Sequence, residues 1–136
     1  MRVSTKGRYA LRVMLDLAEH KEDGFLSLKE VSDRQGISMK YLEMIVSTLH
    51  KAGFLNSQRG KAGGYKLARD SKEYTIGSIL KLTEGSLAPV KCLDAESEKC
   101  ERAAECITLP LWVKLDDMID GYLEGITLDD LMKGEV

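Results

Sequence analysis

The chain has 136 residues, which suits one domain of ordinary size or a compact domain with an appended element. No apolar run approaches the roughly 20 residues that a membrane-spanning helix needs, and the first residues lack the apolar stretch of a signal peptide. The sequence therefore predicts a soluble, cytoplasmic protein without a membrane partner. In that reducing compartment, structural disulfides between the three cysteines are disfavoured.

The net charge of −2 hides a division between the two halves of the chain. Residues 1–69 hold 13 Lys and Arg against 7 Asp and Glu, whereas residues 70–136 hold 7 against 15. The first half is basic enough to meet a polyanion, and the second half would be repelled by one. We therefore expect the two halves to have different tasks.

Two helices are predicted at the start of the basic half. Apolar residues recur at helical spacing over residues 5–20. Ser27 and Glu30 have the spacing of a capping box, which opens a short second helix that ends near Gln35. Gly36 then provides a tight turn.

A third helix of about four turns is predicted from Ser38, its cap, to Gly53, its stop. Its inner face is expected to hold Met39, Leu42, Val46 and Leu49. Its outer face has helical i, i+3, i+4 and i+7 spacing and carries Lys40, Glu43, Met44 and Ser47. A helix, a glycine turn and a second helix are typical of a helix-turn-helix.

A β-hairpin is predicted after these helices. Its two segments, residues 54–59 and 64–68, flank a basic, glycine-rich tip at residues 60–63. Three helices followed by such a hairpin predict a mainly α fold, a winged helix-turn-helix with the hairpin as its wing.

The acidic half predicts a short helix over residues 75–85 and a longer one that opens at Pro110 and reaches about Glu124. Thr108 is placed to cap the longer helix, and Thr127 starts a last short turn. The apolar residues of the longer helix cover a wider face than one neighbour needs, which predicts a partner helix: Leu111, Trp112, Leu115, Met118, Ile119, Tyr122 and Leu123.

Candidate DNA-binding residues lie on the third helix and at the wing tip. Those on the helix can bond phosphates or base edges, and Glu43 can accept a hydrogen bond from cytosine. Arg59 suits an A·T-rich minor groove. The full set is Ser38, Lys40, Tyr41, Glu43, Arg59 and Lys61. The alternative is a helix-turn-helix that serves as scaffold with a solvated charged face, which the basic hairpin and the charge division make less favourable.

The three cysteines lie at Cys92, Cys100 and Cys106, separated by seven and five residues in a segment without helical or strand periodicity, which predicts a loop. Three thiolates there can converge on a metal. Both histidines are distant in sequence, so a fourth ligand would come from elsewhere, from a partner chain, or from Glu98, Glu101 or Glu105. The spacing leaves an iron-sulfur cluster, a zinc site and redox-active free thiols open.

With these motifs in hand, the chain resembles the IscR-like winged-helix iron-sulfur transcriptional regulators, relatives of NsrR and CymR. "STKGRYALRVMLDLA" resembles the opening helix of that family, and "QGISMKYLEMIVSTLHKAGFLNSQRG" its recognition helix and first wing strand. "GGYKLA" resembles the returning wing strand, and "LWVKLDDMIDGYLEGITLDDL" the dimerisation helix and tail.

The resemblance implies a homodimer, paired through the long C-terminal helix, on two-fold-related double-stranded operator DNA. It implies DNA-facing roles for Ser38, Lys40, Tyr41, Glu43 and Arg59, with the glutamate as a selector among operators. It also implies an iron-sulfur cluster, of [2Fe-2S] type, on Cys92, Cys100 and Cys106.

The chain departs from the family pattern at three points. Leu109 stands where IscR-like members have a fourth-ligand histidine, and Arg8 stands where NsrR-like members have an acidic residue. The first interval between cysteines, seven residues, is longer than the five of IscR-like members. The fourth ligand therefore stays open.

The sequence thus predicts a regulator with three parts: a winged-helix DNA-binding domain at residues 1–85, a cysteine-containing cluster loop at 86–108, and a dimerisation helix with its tail at 109–136. One alternative is a regulator of the same fold that senses by thiol oxidation, zinc or a partner protein. A remote alternative is a small metalloenzyme, which the absence of a nucleophile and base pair and of a phosphate-binding loop disfavours.

Overall fold

The structure, a computed structural model, describes residues 2–94 and 101–136. In these ranges the chain forms helices α1 to α6 and strands β1 and β2. In chain order they are α1 (Thr5–Glu19), α2 (Leu28–Gln35), α3 (Met39–Lys51), β1 (Leu55–Gln58), β2 (Gly64–Leu67), α4 (Ile76–Glu84), α5 (Leu109–Glu124) and α6 (Leu128–Lys133). The mainly α class and the hairpin are confirmed.

The predicted boundaries of α2 and α3 are confirmed by their caps. Ser27 and Glu30 form the reciprocal capping box at the start of α2, which satisfies two backbone N–H groups. Gly36 ends α2 in the left-handed conformation, with φ of 66°. The Ser38 hydroxyl accepts a hydrogen bond from the Tyr41 backbone N–H at 3.3 Å. These local bonds fix the turn of the helix-turn-helix.

The hydrophobic core lies between α1, α3 and α4, with contributions from α2 and α6. Its members are buried on α1 at Val13, Met14 and Leu17, on α3 at Leu42, Ile45 and Leu49, and on α4 at Ile79 and Leu80. The prediction that Met39 faces inward is wrong, because its side chain is 41% exposed. Met39 is the first residue of α3 and lies past the edge of the core, whereas Ile45 lies mid-helix and is fully buried.

The wing is anchored to the segment that precedes α2. Strands β1 and β2 pair antiparallel, with Leu55 opposite Leu67, so the hairpin is shorter than predicted. Leu26 and Tyr65 exchange two backbone hydrogen bonds of 2.9 and 2.8 Å. Gly64, with φ of 150°, lies so close to the Leu26 carbonyl that a Cβ would collide with it. This glycine serves the anchoring of the wing.

The C-terminal segment returns to the winged-helix core. Ile76 donates its backbone N–H to the Ile126 carbonyl at 2.9 Å, and Leu128 donates to the Tyr74 carbonyl at 2.8 Å. Leu128, at the start of α6, is fully buried. The end of α5 is therefore held on the core by backbone bonds, and α6 packs against α1.

Two predictions about the segment before α5 need correction. The stretch predicted as a loop contains a short 3-10 turn, Lys91–Leu93, which includes Cys92. Thr108 holds the cap position of α5, but its side chain makes no capping hydrogen bond. It adopts helical backbone angles and its hydroxyl lies against a cysteine instead. Within the described ranges, no helix is long and apolar enough to cross a membrane.

Candidate nucleic-acid interface and cysteine segment

The outer face of α3 is exposed as the sequence predicts. Lys40, Glu43 and Ser47 are exposed, and Met44 is 48% exposed. Residues at this spacing share one helix face, so a cation, a carboxylate, a hydroxyl and a thioether form a continuous strip. This combination can meet phosphates and base edges in a major groove.

Tyr41 plays a packing role at the start of α3. Its ring meets the Tyr9 ring edge to face, with centroids 5.6 Å apart and an interplanar angle of 89°. The Arg12 guanidinium lies 5.2 Å from the Tyr9 centroid, and its Nε donates to the Gln35 side chain at 3.1 Å. The ring of Tyr41 therefore braces α3 against α1.

A buried carboxylate joins α1 to α2. The Asp16 side chain is 1% exposed and accepts two hydrogen bonds from Arg34, at 3.0 and 2.7 Å, and one from Gln35 at 2.9 Å. Burial alone would raise the pKa of Asp16, but these bonds outweigh it and hold the pKa below its ordinary value. The network fixes α2 just before the helix-turn-helix turn.

Sequence reasoning missed this network, although it carried a signal. Asp16 lies between Val13 and Leu17, two apolar residues of the inner stripe of α1, where an isolated charge is unfavourable. A charged residue on a buried face predicts a partner, but tertiary packing decides which one.

The wing carries two kinds of cation. Arg59 and Lys61 are exposed at the tip, as predicted. Lys66 instead has its ammonium 4.6 Å from the Phe25 ring centroid, and Arg69 has its guanidinium 4.8 Å from that of Tyr74. The tip cations are free to meet a ligand, whereas the other two cover aromatic rings.

Helix α3 and the wing are also linked by side chains. The His50 Nε2 atom lies 3.2 Å from the Ser57 hydroxyl, and the His50 and Tyr65 rings meet at 6.0 Å. These contacts join the end of α3 to both wing strands. The helix and the wing therefore form one unit.

The described cysteines lie at the two ends of the segment that leads to α5. Cys92 is exposed and Cys106 is half-buried, both as free thiols, while Cys100 and Glu98 fall outside the described residues. The Cys106 sulfur lies 3.3 Å from the Thr108 hydroxyl. That hydrogen bond, with backbone N–H groups and Arg102, lowers the pKa of the Cys106 thiol.

The described residues do not by themselves assemble a metal site. Among residues 2–94 and 101–136, no group of three or more His, Cys, Asp and Glu side chains is placed to hold a metal ion. Only two of the three predicted cysteine ligands lie among the described residues, so the three-cysteine site stays a prediction.

Helix α5 exposes an apolar strip. Leu111, Met118 and Tyr122 are 60%, 62% and 56% exposed, and Leu115 is 37% exposed. On the adjoining face of the helix, Ile119 and Leu123 pack against the core. The broad apolar face predicted from the sequence is therefore divided between the core and the surface.

Known proteins with similar sequences are transcriptional regulators. The pattern of the Rrf2 family, described as an iron-dependent transcriptional regulator, matches residues 3–134. The helix-turn-helix regulator IscR of Photobacterium profundum is 41% identical over 133 residues, which is 98% of this chain and 76% of that protein. IscR of Pectobacterium atrosepticum is 40% identical over 135 residues, 99% of this chain and 81% of that one.

Solved structures give the same result. The structure of CymR, the global cysteine regulator of B. subtilis, superposes with a TM-score of 0.78 at 37% identity, over 96% of this chain and 95% of that one. IscR of T. potens has a TM-score of 0.78 at 38% identity, over 100% and 89%. These relatives are regulators rather than enzymes, which confirms the predicted class and fold. The chain belongs to the Rrf2 family of transcriptional regulators.

Proposed function

We propose that this protein is an iron-sulfur-responsive regulator that binds two-fold-related operator DNA as a homodimer. The observation that carries the DNA-binding part is the pairing of an exposed polar face on α3 with exposed cations at the wing tip, in one braced unit. In the winged-helix arrangement, α3 enters the major groove and the wing reaches the backbone or the minor groove.

The DNA-facing roles are assigned by chemistry and exposure. Lys40 and Lys61 neutralise phosphates, Glu43 reads a cytosine amino group, and Arg59 enters the minor groove. Ser38 uses its oxygen to cap α3, which leaves its hydroxyl proton to donate to a phosphate. Tyr41, whose ring is packed on Tyr9, contributes through its phenolic edge.

The homodimer is proposed to form through the exposed strip of α5. A soluble monomer rarely exposes a contiguous apolar strip on a long helix, and a second copy of the same strip would cover it with two-fold symmetry. Two protomers joined in this way would present two recognition helices to the two halves of an operator. The chain then has three parts: DNA binding at residues 1–85, sensing at 86–108, and dimerisation at 109–136.

The cluster is proposed to be held by Cys92, Cys100 and Cys106, and to be of [2Fe-2S] type. The donor set fits in kind, because thiolates are the common ligands of iron-sulfur clusters and Thr108 lowers the pKa of Cys106. When bound, the cluster supplies iron that responds to oxygen, nitric oxide or iron supply. The fourth ligand is left to a carboxylate such as Glu101 or Glu105, or to the partner chain.

The position of the cysteine segment explains how a signal would reach the DNA. Cys106 lies just before α5, and the turn that holds Cys92 packs beside the same helix. A change in what the cysteines hold would favour one arrangement of α5 over another. Operator choice or affinity would shift with it.

A second candidate is a regulator of the same family that senses through thiol chemistry, zinc or a partner protein. Two observations favour this candidate. The superposed CymR is named a cysteine regulator, and the hydrogen bond from Thr108 lowers the pKa of the Cys106 thiol, which favours its reactive thiolate form.

Arg59→Ala tests the DNA-binding proposal. The substitution removes an exposed guanidinium at the wing tip and is expected to weaken operator binding by about 1 to 3 kcal/mol, because the groove contact is lost. Titration of a labelled operator at fixed salt measures it. Lys72→Ala, which removes an exposed cation in the acidic half, should leave the affinity unchanged. Equal affinities for all three proteins would exclude the wing from the interface.

A further inference from the structure

Lys81 on α4 binds two carboxylates of α5. Its ammonium lies 2.5 Å from Asp120 and 3.0 Å from Glu124. The other Glu124 oxygen accepts a hydrogen bond from the Thr75 hydroxyl at 3.0 Å. We call Thr75, Lys81, Asp120 and Glu124 the latch. It joins the last two turns of α5 to the side of α4.

The backbone at Gly77 is adapted to the latch. A Cβ at this position would collide with the Glu124 carboxylate, so only glycine lets the carboxylate lie this close to α4. The backbone bonds made by Ile76 and Leu128 hold the chain just beyond α5 in place. The C-terminal end of α5 is therefore held in place, and the latch acts together with the packing of Ile119 and Leu123 to fix the direction of the helix.

A small tilt of α5 about its C-terminal end produces a large displacement of its N-terminal end. A helix of 16 residues is about 24 Å long, so a tilt of about 10° moves its far end by about 4 Å. That displacement exceeds the rise of about 3.4 Å per base pair in DNA. Because the exposed apolar strip lies along α5, the tilt also moves the winged-helix domains of a dimer relative to each other.

The latch adjoins the cysteine segment. Leu93 and Asp94, just after Cys92, line a groove of about 260 Å³ together with Lys81 and Asp120. The latch is also partly exposed, with Lys81, Asp120 and Glu124 side chains 41%, 54% and 36% accessible. Such pairs add little to stability, so the latch can be altered without unfolding the protein.

We propose that the latch is the positioning element that sets which spacing between half-sites the dimer binds. The inference rests on the proposed function, because it requires pairing through α5 and binding to two half-sites. In this proposal, Lys81, Glu124 and Gly77 do not contact the DNA. They act through the angle of α5.

Lys81→Met tests the inference with operators in which two half-sites are moved apart one base pair at a time. The wild-type protein should prefer one spacing. In the variant, the ratio of affinities between that spacing and its neighbours should fall by roughly fivefold or more, or the preferred spacing should change. Its affinity for a single half-site should stay within about twofold of that of the wild type. Gly77→Ala, which displaces Glu124, should change the profile as well. Lys133→Met removes a different surface ion pair, with Asp129, and should keep the wild-type profile.

Sedimentation of each protein separates the possible failures. If the wild type is dimeric and has a preferred spacing, and both latch variants keep that spacing, this inference is overturned and the proposed function is not. A dimeric wild type without a preferred spacing would overturn this inference too. A monomeric wild type would contradict the homodimer of the proposed function, and this inference with it.

Discussion

Met118→Glu is expected to convert the proposed homodimer to a monomer and to weaken binding to a two-half-site operator by roughly 100-fold or more. Met118 is 62% exposed in the centre of the apolar strip of α5. Two glutamates brought together there by the two-fold axis would be desolvated without cations. Sedimentation and operator titration at one protein concentration measure both effects.

Met132→Glu is the matched control, because it makes the same change at a methionine that is 38% exposed on α6, outside the strip. It should remain dimeric and bind the operator as the wild type does. If Met118→Glu also stays dimeric, the pairing surface lies elsewhere and the proposed assembly is wrong.

Asp16→Ala is expected to lower the free energy of unfolding by about 3 to 4 kcal/mol, because it leaves Arg34 and Gln35 without their buried acceptor. Because Arg34 is 32% exposed, its charge is partly solvated once the carboxylate is removed. The loss of free energy is therefore at the lower end of the range for a broken buried ion pair. Chemical denaturation at neutral pH measures this loss. Asp129→Ala, which breaks the more exposed pair with Lys133, should lower the free energy of unfolding by much less than Asp16→Ala does.

The free energy of unfolding that is lost in Asp16→Ala should also depend on pH in a defined direction. The pKa of Asp16 is lower in the folded protein than in the unfolded chain, so the folded state is stabilised wherever the carboxylate is ionised. That stabilisation is complete above the unfolded value of about 4 and disappears as the pH falls through the folded pKa. The difference between wild type and Asp16→Ala should therefore be constant from neutral pH down to about 5 and narrow below about 4. A difference that widens on acidification would contradict the assigned network.

Local signals in the sequence were sufficient for most of the fold. The capping box at Ser27, the turn at Gly36 and the cap at Ser38 each depend on residues within four positions, so the sequence displays them directly. The hairpin followed from the glycines around its tip. The resemblance to a known family added the assignment of these elements to a winged helix.

Features that depend on tertiary contacts could not be predicted in the same way. The binding of Asp16 to Arg34, the cover of Phe25 by Lys66 and the use of Gly64 against Leu26 join segments that are distant in the chain. Thr108 is a similar case. Its hydroxyl could either cap α5 or contact Cys106, and in the structure it contacts Cys106. Of the predicted site, the exposed positions on α3 could be predicted from helical periodicity and those at the wing tip from the glycine-rich turn. The cysteine ligands stay a prediction.

The most direct test of the proposed sensor is the content of its cysteine segment. Wild type and Cys92→Ala would be purified without oxygen, and visible absorption, iron and acid-labile sulfide per chain would be measured for both. We expect a coloured wild type that contains iron and sulfide, and a variant that has lost them, because Cys92 is proposed to supply one of the three thiolates. A colourless wild type that also resists reconstitution with iron and sulfide would contradict the cluster, leave the DNA-binding proposal standing, and favour sensing by thiols, zinc or a partner protein.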